Sequence, residues 1–519
     1  FRNWRSARIV DVPLADLFLG RPFNEEHLGR SAIVQRQHIV LFGLFEPDLD
    51  ERLKLLRMFL GQVFGFGTVR IHVIQLPRVL VEVTLAGKRR VDGRRLPAVF
   101  PDAAGAEHAV ELALLLRRRI RLGVERVFHR HAGERELLDT PVDLGHLEAD
   151  DVEAAYMGNA AAGTITGQVC VPGEVVLRSL GIGRIPVINI ENACATASTA
   201  LNQAAAMITA GLYDVVLAVG YEKLVHEDKA KTFSVFSGAV DVTDMDGLAA
   251  LIDRKMAAVG LQGDVAGAAS RSLFMDIYAT EAVAHMKAYG TTREQLAAVP
   301  AKNSRHGALN PRAQFRSVTT VEEVLAAREI VWPLTLPMCS PIGDGAAAVV
   351  LVSERKAREM GLLDPVRIVA SNLATSWDYP EGQESLVFHE VIARAYEDAG
   401  VGPADLDVVE LHDASASSEI LHTEYLGLCP VGEGGRVIEA GLTALGGSGR
   451  TVVNPSGGLL RKGHPIGATG IAQIVELFEQ LTGKSGARQV ANARIGLAEN
   501  GGGYINGDVA ALCITILKR

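Results

Sequence analysis

From Leu147 onward the chain alternates short apolar runs with amphipathic or small-residue stretches. "DVEAAYMGN" predicts a strand that ends in a polar turn, and "EVVLRSLGIGRIP" a helix stopped at Gly181 and Gly183. "IPVINI" (Ile185 to Ile190) predicts a buried strand, "ATASTALNQAAAMITAG" a helix ending at Gly211, and "DVVLAVGYE" a second buried strand. Such alternation predicts a parallel or mixed sheet covered on both faces. Between about Lys229 and Leu336 the pattern changes to a largely helical insertion. It holds one helix, a second capped helix from Thr291 to Ala298, and then a loop bearing Pro and Asn. "DGAAAVVLVSERKAREMGL" restores core character. A second α/β half follows from about Asp364: a helix in "VFHEVIARAYEDAG", a strand then a loop in "LDVVELHDASA", a helix in "AQIVELFEQLTG" and a last strand in "VAALCITILKR".

The two halves echo each other. "PVINI" runs into Glu191-Asn192-Ala193-Cys194 and a helix, and "TVVNPSGG" runs through "RKGHPIGATG" into another. Strand-to-helix handovers are where ligands gather in α/β sheets. Before about Thr140 the pattern is harder to read. "VRIHVIQLPRVLVEVTLAG" (Val69 to Gly87) predicts one or two strands. The arginine-dense stretches after it read as a solvated basic helix or loop, or as a site for acidic ligands or a partner.

Composition narrows the class. A length of 519 residues predicts two or three domains. With 48% hydrophobic residues, 5% aromatics and 53 glycines, tight layering with small residues at the contacts is expected. A net charge of -9 disfavours a general nucleic-acid or anionic-membrane binder. The five cysteines form no C-x-x-C pair. They read as reduced thiols of a cytoplasmic protein and argue against a zinc site built from this chain alone. No apolar stretch approaches the roughly 20 residues that span a bilayer.

Several residues carry candidate chemistry. Cys194 falls in the first turn of a predicted helix, where free amides lower a thiol pKa; equally, a cysteine in an Ala-rich helix can be packing. His464 is surrounded by Gly457, Gly458, Gly463, Gly467 and Gly470, so backbone can approach a ligand closely, or the histidine belongs to a turn. His412 follows a predicted strand and either bonds a water or substrate carbonyl or caps its loop. "ENGGGYING" (Glu499 to Gly507) offers consecutive N–H groups in a flexible loop, suiting an oxyanion hole or a tight turn. Cys339, in "PMCSPIGDGAAAVVL", reads as part of a turn before a core strand.

Taken in order, "NIENACATASTALNQAAAMITAG", "DVVLAVGYEKL", "PMCSPIGDGAAAVVL", "VVELHDAS", "NPSGGLLRKGHPIGATG" and "ARIGLAENGGG" resemble the thiolase superfamily. The nearest branch is that of sterol-carrier-type and lipid-transfer-type thiolases, and the resemblance runs from about Leu147 to the C-terminus. It implies a five-layered αβαβα fold built from two similar halves. The N-terminal half would take residues 141–228 and 337–362, the loop domain 229–336 and the C-terminal half 363–519, leaving 1–140 without firm assignment. By the same resemblance Cys194 takes the acyl group from a CoA thioester, and His464 draws its proton and helps hold the thioester oxygen. His412 positions a water in that oxyanion site, and the N–H groups of Cys194 and Gly502 form a second one. Coenzyme A, as substrate and acyl carrier, would meet the helical insertion and Ser456-Gly457-Gly458. A homodimer is implied, as is a separate small zinc-bearing OB-fold partner; this chain would hold no metal.

Two departures stand out. The family's opening strand and helix have no good match, "LVEVTLAG" being a poor candidate. The second cysteine is missing as well, because Ala414 and Glu499-Asn500 occupy the positions where one is expected. Either Glu499, with a pKa raised by desolvation, takes the second proton, or Cys339 reaches in, or the reaction differs. The expected function is cleavage or formation of a β-ketoacyl-CoA. The alternatives are a retro-aldol cut of a β-hydroxyacyl-CoA with a partner protein, and non-catalytic lipid binding.

Overall fold

The computed structural model describes strands 31–35, 38–42, 68–74 and 80–86 together with residues 147–261, 272–379 and 386–519. The chain divides into two compact units, residues 1–101 and 102–519. In the first, β1 (Ser31–Gln35), β2 (His38–Phe42), β3 (Thr68–Ile74) and β4 (Leu80–Ala86) form one antiparallel sheet in the order β1-β2-β4-β3. The run from Val69 to Gly87 is thus two strands, paired with each other. "LVEVTLAG" lies in this sheet, so it is not an opening strand of the second unit. The arginine-dense stretches fall outside the described residues.

The second unit is built on two sheets. The first contains β5 (Ala154–Gly158), β6 (Val187–Ile190), β7 (Val215–Glu222) and β10 (Gly345–Val352) in the order β10-β7-β5-β6. Its pairs are parallel except at β10, so the sheet is mixed. The second contains β11 (Arg367–Ala374), β12 (Val408–Glu410), β13 (Val452–Val453), β14 (Ile495–Ile505) and β15 (Asp508–Lys518) in the order β11-β15-β14-β12-β13. Matching the orders pairs β10 with β15, β7 with β14, β5 with β12 and β6 with β13. Among the described residues the first sheet has no counterpart of β11. A two-stranded ribbon, β8 (Glu329–Val331) with β9 (Leu334–Thr335), sits in the insertion.

Two helices lie between the sheets: α1 (Thr196–Thr209) and, from the second half, Thr469–Thr482. Ala197, Ala200, Leu201 and Ala204 of α1 share one core with Ile471, Ile474, Val475 and Leu477, and with residues of both sheets. Small residues let these helices cross closely. A Cβ on Gly470 would stand 2.0 Å from Ser198 Oγ and 2.6 Å from Ser198 N. Gly467, close to Tyr221, Glu222 and Ala160, and Gly470 thus serve contact between the halves. Outside, helix Pro172–Ser179 buries Leu177 against β5 and β7, and helix Val387–Ala399 buries Val391, Ile392 and Ala395 against β11 and β15. The layers are αβαβα, as the resemblance implied, and each sheet is covered on both faces, as the alternating pattern predicts.

Three local expectations change. "IPVINI" gives β6, an edge strand that is only partly buried rather than a core strand. In the insertion, α2 (Leu273–Tyr289) is followed by α3, which runs from Arg293 to Ala308. Its cap is Thr292, whose hydroxyl accepts from Gln295 N while Gln295 reaches back to Thr292 N. It continues through Pro300 and the stretch expected as a loop, since packing of Leu296, Val299 and Ala301 outweighs the proline penalty. Finally, "ENGGGYING" is mostly strand, because β14 extends to Ile505 and pairs Gly502 with Ala511.

Candidate active site

The site forms where the halves meet. Cys194 lies in a 3₁₀ turn, Ala193–Ala195, that leads into α1. The turn is tight: Ala193 has φ 47°, its N–H donates to Glu191 Oε1 at 2.6 Å, and Ala195 N donates to Asn192 O at 2.9 Å. Thr196 closes it by donating its hydroxyl to Ala193 O at 2.6 Å. The second half mirrors this with a 3₁₀ turn, Ile466–Ala468, before helix Thr469–Thr482. Cys194 Sγ and one ring nitrogen each of His412 and His464 all lie within 4.8 Å of one another. The two imidazoles stand edge to face, centroids 5.1 Å apart. Three residues distant in sequence thus meet at one point.

Electrostatics set the resting protonation. Burial pushes the Cys194 thiol up to about 12, helped by the charges of Glu222 and Glu191. This reverses the sequence expectation: the short turn's amide opposes the shift but does not prevail. Burial also lowers His412 to about 4, and burial, His412 and Lys462 hold His464 well below its usual range. The resting pair is a neutral thiol and a neutral imidazole. The tautomer of His464 follows from its neighbour. Thr469 donates its hydroxyl to Pro465 O at 3.2 Å, so at 2.8 Å it accepts from His464 Nδ1. Nε2 then carries the free lone pair. Apolar neighbours Ala161, Ile165, Leu224, Val235 and Ile466 wall the thiol.

Glu499 is fully buried on β14 beside this cluster. Its Oε2 accepts from His412 N at 2.8 Å and from His422 Nδ1 at 2.9 Å, while Oε1 has no partner. Burial pulls its pKa up, but the charge and hydrogen bond of His422, with His412, bring it below the ordinary value. Its carboxyl rests ionised, contrary to the raised pKa expected from desolvation. His422 lies on the helix Ala416–Tyr425; burial lowers its pKa, and Glu499 and Glu281 outweigh that to raise it. Neither His422 nor Tyr278 stood out in the sequence. Tyr278, on α2, is held protonated by burial and by Cys194, Glu281, Glu499 and Cys339 around it. Both sit within helices whose local sequence carries no motif, and the fold brings them beside Glu499 and Cys194.

The other expected residues divide. Gly502 abuts the Cys194 turn: a Cβ there would lie 2.3 Å from Asn192 O and 2.5 Å from Ala195 N. Ser456 is fully buried, its N and Oγ donating to Glu410 at 3.0 and 2.6 Å. Gly457 packs on Gly307, and Gly458, at φ 60°, packs on Asp413, where a Cβ would lie 2.1 Å from Oδ2. The segment expected to meet the coenzyme is thus buried, with the Ser456 N and Oγ directed to Glu410. Cys339 bridges by backbone to Ser415, beside Ala414, but its thiol donates to Thr335 O at 3.6 Å and packs in the insertion's core. It does not join the Cys194 cluster.

Residues 127–326 match the family model "Thiolase, N-terminal domain", and residues 383–516 match "Thiolase C-terminal domain-like". The chain belongs to the thiolase family. It is an enzyme of that acyltransferase family, as the motif order implied. It is 36% identical to bovine sterol carrier protein 2 over 75% of this chain and 67% of that one. Other sterol carrier protein 2 chains, the rabbit protein for one, are matched over 64% of their length. It is 34% identical to benzoylsuccinyl-CoA thiolase subunit BbsB of Thauera aromatica, over 70% of this thiolase and 89% of the subunit. A solved structure titled Ltp2-ChsH2(DUF35) aldolase shares the fold, with TM-score 0.54 and 24% identity, over 71% of this chain and 88% of that one.

Proposed function

We propose that this thiolase cleaves or forms a β-ketoacyl-CoA through an acyl group carried on Cys194. The meeting of Cys194 with His412 and His464 supports the reading above any other observation. In cleavage, His464 Nε2 takes the thiol proton as Sγ bonds to the β-carbonyl carbon. The Cα–Cβ bond breaks, its electron pair stays on the α-carbon, and that carbon gains a proton. The thiol of a second CoA then gives its proton to His464 as its sulfur displaces the acyl group, and Cys194 takes that proton back from His464. Because both partners rest neutral, proton transfer accompanies attack. His412 and His464 hold the thioester oxygen, and the N–H groups of Cys194 and Gly502 hold the tetrahedral oxyanion. Glu499, ionised at rest, relays to the α-carbon the proton that His464 took from the thiol.

A second reading has its own support. No thiol stands at 414 or 499, and Glu499 rests as a base. A base can take the hydroxyl proton of a β-hydroxyacyl-CoA. The Cα–Cβ bond then breaks to a carbonyl product and an acyl-CoA enolate, which is protonated on carbon. In this retro-aldol cut no bond forms to Cys194, and an OB-fold partner would help hold the substrate, as a DUF35 chain accompanies the solved aldolase. One experiment separates the readings. Wild-type enzyme and Cys194→Ala are given fatty, steroid and aromatic β-keto- and β-hydroxyacyl-CoA, and the Cys194 peptide is weighed by mass spectrometry. Acyl adducts with an inactive variant support acyl transfer; cleavage that survives Cys194→Ala sinks it and leaves the aldol reading.

We further propose a homodimer. Among the described residues strand β6 has a free edge, and Ile185, Val187, Ile188 and Ile190 are only partly buried there, which a second copy would cover. No described helix is long and apolar enough to cross a membrane. Work in the cytoplasm fits the unpaired cysteines.

A further inference from the structure

We propose that Cys194, His412 and His464 bind a thiophilic divalent cation, zinc foremost, and that the bound ion blocks the resting enzyme. The inference rests on geometry. One sulfur and two ring nitrogens lie within 4.8 Å of one another, on elements fixed by the core. A tetrahedral zinc ion sets sulfur–nitrogen and nitrogen–nitrogen separations of about 3.5 and 3.3 Å. Side-chain rotations of roughly an ångström therefore close the site, with no backbone rearrangement. The number of ligands also fits, since three protein donors leave a fourth position for water or a substrate thiol.

The surroundings favour a metal in three ways. Both histidines are 6% exposed. His412 Nε2 is buried with no hydrogen-bond partner, a lone donor atom inside the cluster. His464 gives its Nδ1–H to Thr469 Oγ1 at 2.8 Å, the outer contact that metal-bound imidazoles need to fix their tautomer. The sequence could not show this site. Zinc motifs are sought as closely spaced pairs, whereas these donors come from three separate turns.

On binding, the Cys194 S–H bond breaks, the thiolate sulfur bonds to the cation, and the proton leaves to solvent. Neither imidazole loses a proton, and nothing is oxidised or reduced. The ion occupies nucleophile and base together, so it competes with an acyl donor and is excluded from acylated enzyme. Thiol-bearing ligands such as free CoA would relieve the block by removing the ion.

The test uses metal-free full-length enzyme, with any tightly bound partner, titrated with Co²⁺ and no acyl donor. Expected is one equivalent per chain that gives a near-ultraviolet thiolate-to-cobalt band and visible bands of tetrahedral Co²⁺, both displaced by Zn²⁺. The bands should vanish in Cys194→Ala and in wild-type enzyme alkylated with iodoacetamide beforehand, a control that does not depend on a variant folding. Saturating Zn²⁺ should slow alkylation of Cys194 at least tenfold, and EDTA should restore the rate. Bands that survive alkylation, or an alkylation rate indifferent to Zn²⁺, overturn the proposal. These readouts involve no turnover, so they stand apart from either reading of the reaction.

Discussion

Adding one methyl group at Gly502 should disarm the nucleophile without unfolding the enzyme. The glycine sits on β14 with backbone angles that alanine can adopt, so the effect comes from space alone. The new Cβ would meet Asn192 O at 2.3 Å, Ala195 N at 2.5 Å and Ala195 Cβ at 3.0 Å. Ordinary carbon–oxygen contact needs about 1 Å more than the first of these, and the two nearest obstacles are backbone, which cannot rotate away. Either β14 or the 192–195 turn must yield. β14 is paired along its length with β15 and anchored by β12, whereas the turn is a single 3₁₀ element. The turn should therefore move, carrying Cys194. Overpacking of this kind costs about 1–3 kcal/mol, a tolerable loss for a domain of this size. A displacement near 1 Å of a reacting atom costs about 10² in rate. Gly502→Ala should thus lose about a hundredfold in kcat, measured by consumption of free CoA thiol with a cleaved β-ketoacyl-CoA, while melting only a few degrees lower. Activity within twofold of the parent would show that the turn tolerates the methyl, and the reasoning about close approach would be wrong.

Other outcomes follow from the protonation and hydrogen-bond pattern. With a thiol near 12, alkylation of Cys194 by iodoacetamide should rise about tenfold per pH unit from 7 to 10; a plateau below pH 9 would mean a thiolate stabilised at rest. Glu499→Gln should drop the His422 titration, followed by imidazole NMR, below the ordinary histidine range, since burial then acts with less opposition. Sign matters for stability here. Glu499 is depressed, so its contribution is present above the unfolded carboxylate pKa and fades as pH falls through the folded value. His422 is raised, so its share is present below the unfolded histidine pKa and fades as pH rises through the folded value. The deficit of Glu499→Gln in urea melts should therefore be largest in the mildly acidic window between them, about 3–5 kcal/mol, and a deficit independent of pH would count against a charged pair. Thr469→Val should cut kcat roughly a hundredfold by freeing the His464 tautomer, and Thr469→Ser should restore it; equal rates in all three would detach Nδ1 from the mechanism.

Much of the α/β framework was legible because apolar runs and helix stops are local signals. β7, α1, β10 and β15 lie where their patterns place them. β6 misled because an apolar run reads as core even where it marks an open edge. α3 outran its predicted end because burial of one whole face outweighs Pro300. "ENGGGYING" looked like a loop since glycine lowers strand propensity, yet β14 needs those residues to be bare where the nucleophile turn presses on it. Cys194, His412, His464 and Glu499 stood out by motif. Their protonation did not, because the desolvation that raises one thiol and lowers two imidazoles comes from residues far along the chain. His422 was invisible for a similar reason: its importance lies in a contact with Glu499, not in its own neighbours.

Glu222 ties the two halves together at one spot, accepting from Ala161 N in the first and Gly467 N in the second. Cys194 belongs to one side of that seam, and His412 and His464 to the other. Apart, the halves would leave Cys194 without the imidazoles of His412 and His464 beside it, and without the burial that raises its thiol to about 12. On the proposed acyl-transfer reading, the chemistry would therefore require both halves to be docked.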